Sequence, residues 1–255
     1  MNTKTVLTPY FLDQLLPGLE ELKDWDWILN REPLPESTVV ERMSVLHGSL
    51  ANAVEEICVA GEIPVSIAGD CCTAIPMLAG LRRAVLNPLL IWFDAHGDFN
   101  TMETSPSGFL GGMPLAMLVG RGEQTFLEAL DLDPIEEDRV ILTDGRDLDP
   151  SESELVARSV VTHLKNPMDL MDYTFSDQHL WVHFDTDILD PEDVPAQNYP
   201  APGGIRAEDL REVFQYLAST GLLCGISLSS WAPDLPGAEQ SRDVCLELLE
   251  VLKHQ

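Results

Sequence analysis

Short apolar runs alternating with helically spaced segments constrain this chain more than any other feature. The runs at residues 64–68 (PVSIA), 88–93 (PLLIWF), 139–143 (RVILT), 180–184 (LWVHF) and 222–228 (LLCGISL) have the length and apolar character of buried parallel strands. Between them lie helix signals. Ser37 is placed to N-cap a stretch reaching residue 60 and closed by Gly61, with Val40, Met43, Val45, Leu46, Ala51 and Val54 on one helical face. Residues 207–220 and 238–253 repeat that spacing and carry carboxylates in the first turn. Such alternation predicts right-handed βαβ crossovers and a three-layer α/β/α fold around a mostly parallel sheet. No repeat, low-complexity tract or linker divides the chain, so residues 1–255 are expected to form a single domain, with residues 23–36 as an ordered surface loop.

In open α/β sheets ligands gather beyond the carboxyl ends of the strands, and chemistry-bearing residues follow three of these runs. After the run ending at Phe93 comes Asp94-Ala95-His96-Gly97-Asp98-Phe99-Asn100. On an extended segment the alternate positions Asp94, His96 and Asp98 project to one side, and two carboxylates with one imidazole suit a divalent metal. A capped loop is the plainer reading, since Asp and Asn are frequent in turns. After Phe184 comes Asp185-Thr186-Asp187-Ile188-Leu189-Asp190-Pro191, a second alternating pair of carboxylates. Together the two clusters offer enough donors for two metals that share carboxylates and activate a water between them. The third cluster, Ala68-Gly69-Asp70-Cys71-Cys72-Thr73, has a glycine for a tight strand-to-helix turn and two thiols, either of which could face the same cleft or be buried as a small apolar group.

In this order the clusters resemble the ureohydrolase family of arginases, agmatinases and formiminoglutamases. The family pattern runs GGDHS, DAHxDxN, SFDxDxxDP; this chain reads AGDCC, DAHGDFN, HFDTDILDP. Residues 104–114 (TSPSGFLGGMP) are similar to the arginase loop TTSGNLHGQP, and residues 145–152 (GRDLDPSE) to LRDVDPGE. Gly203-Gly204 and residues 220–225 also fall in register. The resemblance implies an arginase-like fold and two divalent ions, manganese in the family. One ion would be held by Cys71, Asp94, Asp98 and Asp185, the other by Asp94, His96, Asp185 and Asp187, with Asp94 and Asp185 bridging. It further implies that Asp98 orients the attacking water and handles its proton. Asn100 and Ser107 would meet a substrate α-carboxylate and Asp149 an α-amino group, with Asp147 and Glu152 close by. Asp147 and Asp149 also read as turn residues ahead of Pro150.

Three departures separate the chain from an ordinary arginase. Cys71 stands where the family has a His ligand; thiolate is softer and adds charge, which shifts metal preference from manganese towards zinc, iron or cobalt. Gly111 stands where arginases have a His, and Ser230 where they have the Glu that pairs with the guanidinium. His183 replaces a Ser and reads as a packed strand histidine; Cys58, Cys224 and Cys245 read as core thiols. The resulting expectation is an amidinohydrolase releasing urea from free, N-hydroxylated or peptide-embedded arginine. The alternative is a catalytically silent metal-binding member with a regulatory role.

Charge agrees with a cationic substrate. Fifteen Lys and Arg against 43 Asp and Glu give a net −28, which opposes nucleic acid and anionic membranes and either steers cations or serves solubility. No apolar run approaches a membrane span of roughly 18 residues, and residues 1–4 lack a secretory layout. Five scattered cysteines do not make a disulfide framework, so a reducing cytoplasm is expected. The resemblance implies that a homo-oligomer is open to the chain, since family members commonly form trimers or hexamers.

Overall fold

The computed structural model describes residues 2–175 and 178–254. Its principal sheet has eight strands: β1 (Thr3–Thr8), β2 (Ile28–Leu29), β3 (Ile63–Ala68), β4 (Leu89–Asp94), β5 (Val140–Asp144), β6 (Thr162–Leu164), β7 (Leu180–Asp185) and β8 (Leu223–Ser229). Their spatial order is β2-β1-β3-β8-β7-β4-β5-β6, and every pairing is parallel. The chain leaves β3, skips across the sheet to β4, and later returns to fill the gap with β7 and β8. The four strands β3, β8, β7 and β4 therefore end side by side at the place where strand order reverses, where the crevice of an open sheet lies.

Alternation along the strands builds two cores. In β4, Leu90 and Trp92 join a cluster on one face of the sheet, while Ile91 and Phe93 join a cluster on the other. The first face is covered by α1 (Val39–Val59), α2 (Ala74–Arg83) and α3 (Pro150–Arg158), through Leu50, Val54, Leu78, Leu81 and Val156. The second is covered by α4 (Ala207–Ser219) and α5 (Ala238–Lys253), through Val213, Phe214, Leu217, Leu248 and Leu252. The three-layer α/β/α architecture expected from the sequence is thus the one observed. Helices α1 and α2 meet closely at Gly80, where a Cβ would lie 2.5 Å from Val54 Cβ and 2.7 Å from the Ala51 carbonyl oxygen. No helix among the described residues is long and apolar enough to cross a membrane.

Several local expectations need correction. The N-cap of α1 is Thr38 rather than Ser37: Thr38 Oγ1 accepts from Glu41 N at 3.3 Å and Glu41 Oε2 accepts from Thr38 N at 3.1 Å, a capping box worth about 1 kcal/mol. Residues 23–36 are not loop throughout, because Ile28–Leu29 adds a two-residue edge strand against β1. The strand-to-helix turn expected at Gly69 is present, and the glycine also allows close approach there: a Cβ would sit 2.3 Å from the Tyr10 carbonyl oxygen. Of the expected core thiols, Cys224 and Cys245 are buried and Cys58 is only half-buried.

Candidate metal centre

Each strand end at the crevice delivers its own donors. After β3, Asp70 accepts from Cys72 N at 2.9 Å and from Leu12 N at 2.6 Å. It thereby fixes the turn that presents Cys71 and pins the Tyr10–Phe11/Gln14–Leu15 hairpin beside it. Cys71 Sγ donates to Asp185 Oδ2 at 2.9 Å, whereas Cys72 Sγ turns away to the Leu110 carbonyl at 3.6 Å. The residues alone left either thiol open and the family resemblance pointed to Cys71; of the two, Cys71 is the one that faces the carboxylates.

At the end of β4, Asp94 Oδ1 accepts from His96 N at 2.7 Å and Oδ2 from Trp92 Nε1 at 3.0 Å. His96 Nδ1 lies 3.0 Å from Asp187 Oδ2 and 3.4 Å from Asp94 Oδ1. At the end of β7, Asp185 Oδ1 accepts from Asp187 N at 2.9 Å, Asp187 Oδ1 accepts from Ala95 N at 3.1 Å, and Ser230 donates to Asp185 Oδ2. Two donor groups result, Cys71–Asp94–Asp185 and Asp94–His96–Asp187, and within each the ligand atoms lie within 4.8 Å of one another. Asp94 belongs to both. Asp185 belongs only to the first at that spacing, and Asp98 to neither, although all six residues line one cleft of about 220 Å³.

Electrostatics make the same place receptive to cations. Burial raises the carboxyls of Asp94, Asp98, Asp185 and Asp187, and neighbouring carboxylates raise them further, Asp185 to about 7 and Asp187 to about 6. Burial and the Asp185, Asp98 and Asp94 charges also push the Cys71 thiol well up. Burial opposes a charge on His96, but its contacts to Asp187 and Asp94 outweigh that and hold its pKa at about 12. Carboxylates crowded together without water or cation cost several kcal/mol each. Asp98 Oδ2 is moreover buried with no hydrogen-bond partner. Four carboxylates, one imidazole and one thiol, with an orphaned oxygen among them, fit divalent ions, whose charge reverses these costs.

The rest of the cleft comes from the loops. Glu152, the N3 residue of α3, is buried with both oxygens engaged, accepting from Phe99 N at 2.8 Å and Asp149 N at 3.1 Å. It clamps the Asp94–Asn100 segment to α3. Gly97 makes that clamp possible, since a Cβ there would meet Glu152 Oε1 at 2.7 Å. Asn100 Nδ2 donates to Asp149 Oδ2 at 3.0 Å, and Ser107 and Asp147 line the same cleft, both exposed. Gly111 and Ser230, two of the departures noted above, lie in the lining as well.

The sequence reading missed four contributors. Phe11, Phe109 and Tyr199 form an aromatic edge to the cleft, with ring centroids 6.1 Å apart for Phe11–Phe109 and 5.5 Å for Phe109–Tyr199. No spacing signal joins residues from three distant segments. Arg146 pairs with Asp144 at the end of β5 and donates to the carbonyls of Asp187 at 2.8 Å and Ile188 at 3.2 Å, tying β5 to the segment that carries Asp187.

Comparison with known proteins identifies the family. Residues 23–252 match the sequence profile of the arginase family. An arginase of Bacillus subtilis is 30% identical over 239 residues, covering 88% of this chain and 81% of the relative. The N(omega)-hydroxy-L-arginine amidinohydrolase of Streptomyces lavendulae is 29% identical, covering 73% of this chain and 68% of its own. A crystal structure of Bacillus subtilis arginase superposes with a TM-score of 0.84 at 26% identity, covering 100% of this chain and 99% of that one.

Proposed function

The chain belongs to the arginase family and is a hydrolase of linear amidines that releases urea from an arginine-type guanidino group; from that premise we propose that its arginine is held in a peptide or similarly extended molecule. The observation that carries the catalytic reading is the pair of donor groups joined through Asp94. The amidinohydrolase names of the relatives favour an active enzyme over a silent metal-binding one.

Cys71, Asp94, Asp98 and Asp185 would hold one ion, and Asp94, His96, Asp187 and the nearby Asp185 the other. The carboxylate-rich His96 side suits manganese, while the Cys71 thiolate suits a softer ion such as zinc, iron or cobalt. When bound, two such ions polarise a water and the guanidinium it attacks. The protein groups do the rest. Asp98 lines the cleft beside the donors and is placed to take a proton from the attacking water and pass it to the departing side-chain nitrogen, its carboxylate held ionised once the ions are bound because their charge reverses the upward push of burial and of Asp94 and Asp185. Water adds to the guanidinium carbon, the bond from that carbon to the side-chain nitrogen breaks, and urea and a protonated ornithine-type amine leave. No proton is gained or lost overall. Among the described residues the cleft lining holds the carboxylates of Asp147, Asp149 and Glu152 beside the donors and no Lys or Arg, which favours a cation throughout. Asn100, Ser107 and Asp149 are proposed to contact the backbone end of the arginine. Glu152, with both oxygens already engaged, acts on substrate by holding Asp149.

An extended substrate is supported by what adjoins the cleft. Phe11 and Tyr199 line it on one side and on the other line a second groove with Gln14, Leu16, Asn198 and residues 232–235. Flanking residues of a peptide could lie over that edge and supply binding energy remote from the reacting carbon, replacing what an arginase-type Glu at position 230 would give. Ser230 also favours a second reading, N-hydroxyarginine, whose added hydroxyl gives the serine a hydrogen-bonding partner; the Streptomyces lavendulae relative bears the name of that activity. The deciding experiment compares kcat/KM for arginine, N-hydroxyarginine and an arginine peptide with blocked termini. The peptide is expected to be preferred by about tenfold or more, the worth of 1.4 kcal/mol. A preference for free arginine overturns the extended-substrate reading.

A further inference from the structure

Behind Cys71 runs a buried line of polar side chains that the reaction itself does not use. His183 on β7 is paired in register with Ser227 on β8, and Ser229, two residues on, faces the same side of the sheet. Trp181 Nε1 lies 3.0 Å from Ser227 Oγ, Ser227 Oγ lies 2.9 Å from His183 Nδ1, His183 Nε2 lies 3.3 Å from Ser229 Oγ, and Ser229 Oγ lies 3.0 Å from Cys71 Sγ. All five side chains are buried, so each polar group must find its partner within the line.

The chemistry of the groups sets its direction. An indole N–H only donates, so Ser227 Oγ accepts from Trp181 and its own hydrogen is left for His183 Nδ1. A neutral ring that accepts at Nδ1 carries its proton on Nε2, and that N–H donates to Ser229 Oγ. The Ser229 hydrogen is then directed to Cys71 Sγ, at 3.0 Å, in preference to Asp185 Oδ2 at 3.5 Å. Trp92 fixes the ring from its face, stacked at 3.8 Å between centroids and 21° between planes, while its own N–H holds Asp94. Two of the chain's departures, Cys71 and His183, are 112 residues apart and meet here through one serine.

We propose that His183 is a positioning residue for Cys71, orienting the Ser229 hydroxyl so that it donates to the sulfur and sets how strongly that sulfur binds an ion. The proposal rests on the reading of Cys71 as a metal ligand. Thiolate gives more electron density than imidazole, and a donated hydrogen bond withdraws part of it. An ion held by Cys71 would thereby lose less of its acidity to the thiolate donor. The line also keeps the sulfur lone pairs aimed at the cleft, since the serine that holds the sulfur is itself held.

The test is the absorption of the cobalt(II)-loaded protein, read as the sulfur-to-cobalt charge-transfer band. Ser229→Ala, close to isosteric, is expected to keep the band and move it to lower energy, because the sulfur electrons are less tightly held without the donated hydrogen. His183→Phe is expected to give a shift of the same sign. His183→Gln, whose Nε2 amide can donate to Ser229 in place of the ring, is expected to return the band towards its original position. Loss of packing alone would not produce that return. Should His183→Phe fail to fold, Ser229→Ala still decides. A band unmoved by Ser229→Ala overturns the proposal and leaves the ligand reading standing; a band missing from the unaltered protein overturns both.

Discussion

Asp94→Ala is expected to release both ions together and to lower urea formation by about 10³-fold or more, since a metal pair supplies several kcal/mol of transition-state stabilisation. Asp94 is the one side chain common to the Cys71–Asp94–Asp185 and Asp94–His96–Asp187 groups. Its two oxygens are also held by His96 N and Trp92 Nε1, so it is rigid in the position both groups require. Asp185→Ala makes the useful contrast. By resemblance Asp185 bridges as well, yet its Oδ2 is the partner of Cys71 and Ser230, on one side of the centre. Elemental analysis of folded Asp185→Ala is therefore expected to find the His96-side ion retained at least in part. Full metal content in Asp94→Ala would show that it bridges nothing.

Asp98→Asn is expected to lower kcat by about 10²- to 10⁴-fold, the usual worth of a positioned acid–base group, with a much smaller change in KM. Asp98 has φ 48°, in the left-handed region that Asn tolerates nearly as well as Asp, so the backbone should hold. The amide keeps an oxygen for an ion and loses the capacity to take up and pass on a proton. A steady-state urea assay reads both constants; an unchanged kcat would remove Asp98 from the proton path and leave it as a ligand or a structural residue.

These expectations lean on features of unequal legibility in the sequence. The donors were legible because β4 and β7 are buried on both faces and so read as mostly apolar runs, interrupted only by His183, after which Asp94, His96, Asp98, Asp185 and Asp187 stand out with a period of two. The outer strands were not. Thr162–Leu164 is three half-buried residues and Ile28–Leu29 only two, and Thr3–Thr8 mixes hydroxyls with its apolar residues, Thr5 and Thr8 being buried. Strand pairing hid the rest. That Ser227 faces His183 and Ser229 faces Asp185 follows from the β7–β8 register, which no local pattern reports. Phe11 reaches the cleft because Asp70 captures the Leu12 amide, a contact spanning 58 residues. Glu152 was legible as a member of the motif, but its employment as a clamp on Phe99 and Asp149 needed the fold.

Metal binding here should also displace protons, because the Cys71 thiol and the Asp185 and Asp187 carboxyls are all held up by burial and by neighbouring carboxylates. Loading is thus favoured as pH rises through the range near 6 to 7 where those carboxyls lose their protons.

The most direct measurement follows urea release from arginine-type substrates while metal is returned stepwise to chelator-treated protein. The rate is expected to be near zero without metal and to rise until two equivalents per chain are bound. Full metal binding with no urea from free, N-hydroxylated or peptide-held arginine would contradict the assignment of a dinuclear amidinohydrolase and leave a metal-binding protein without that activity.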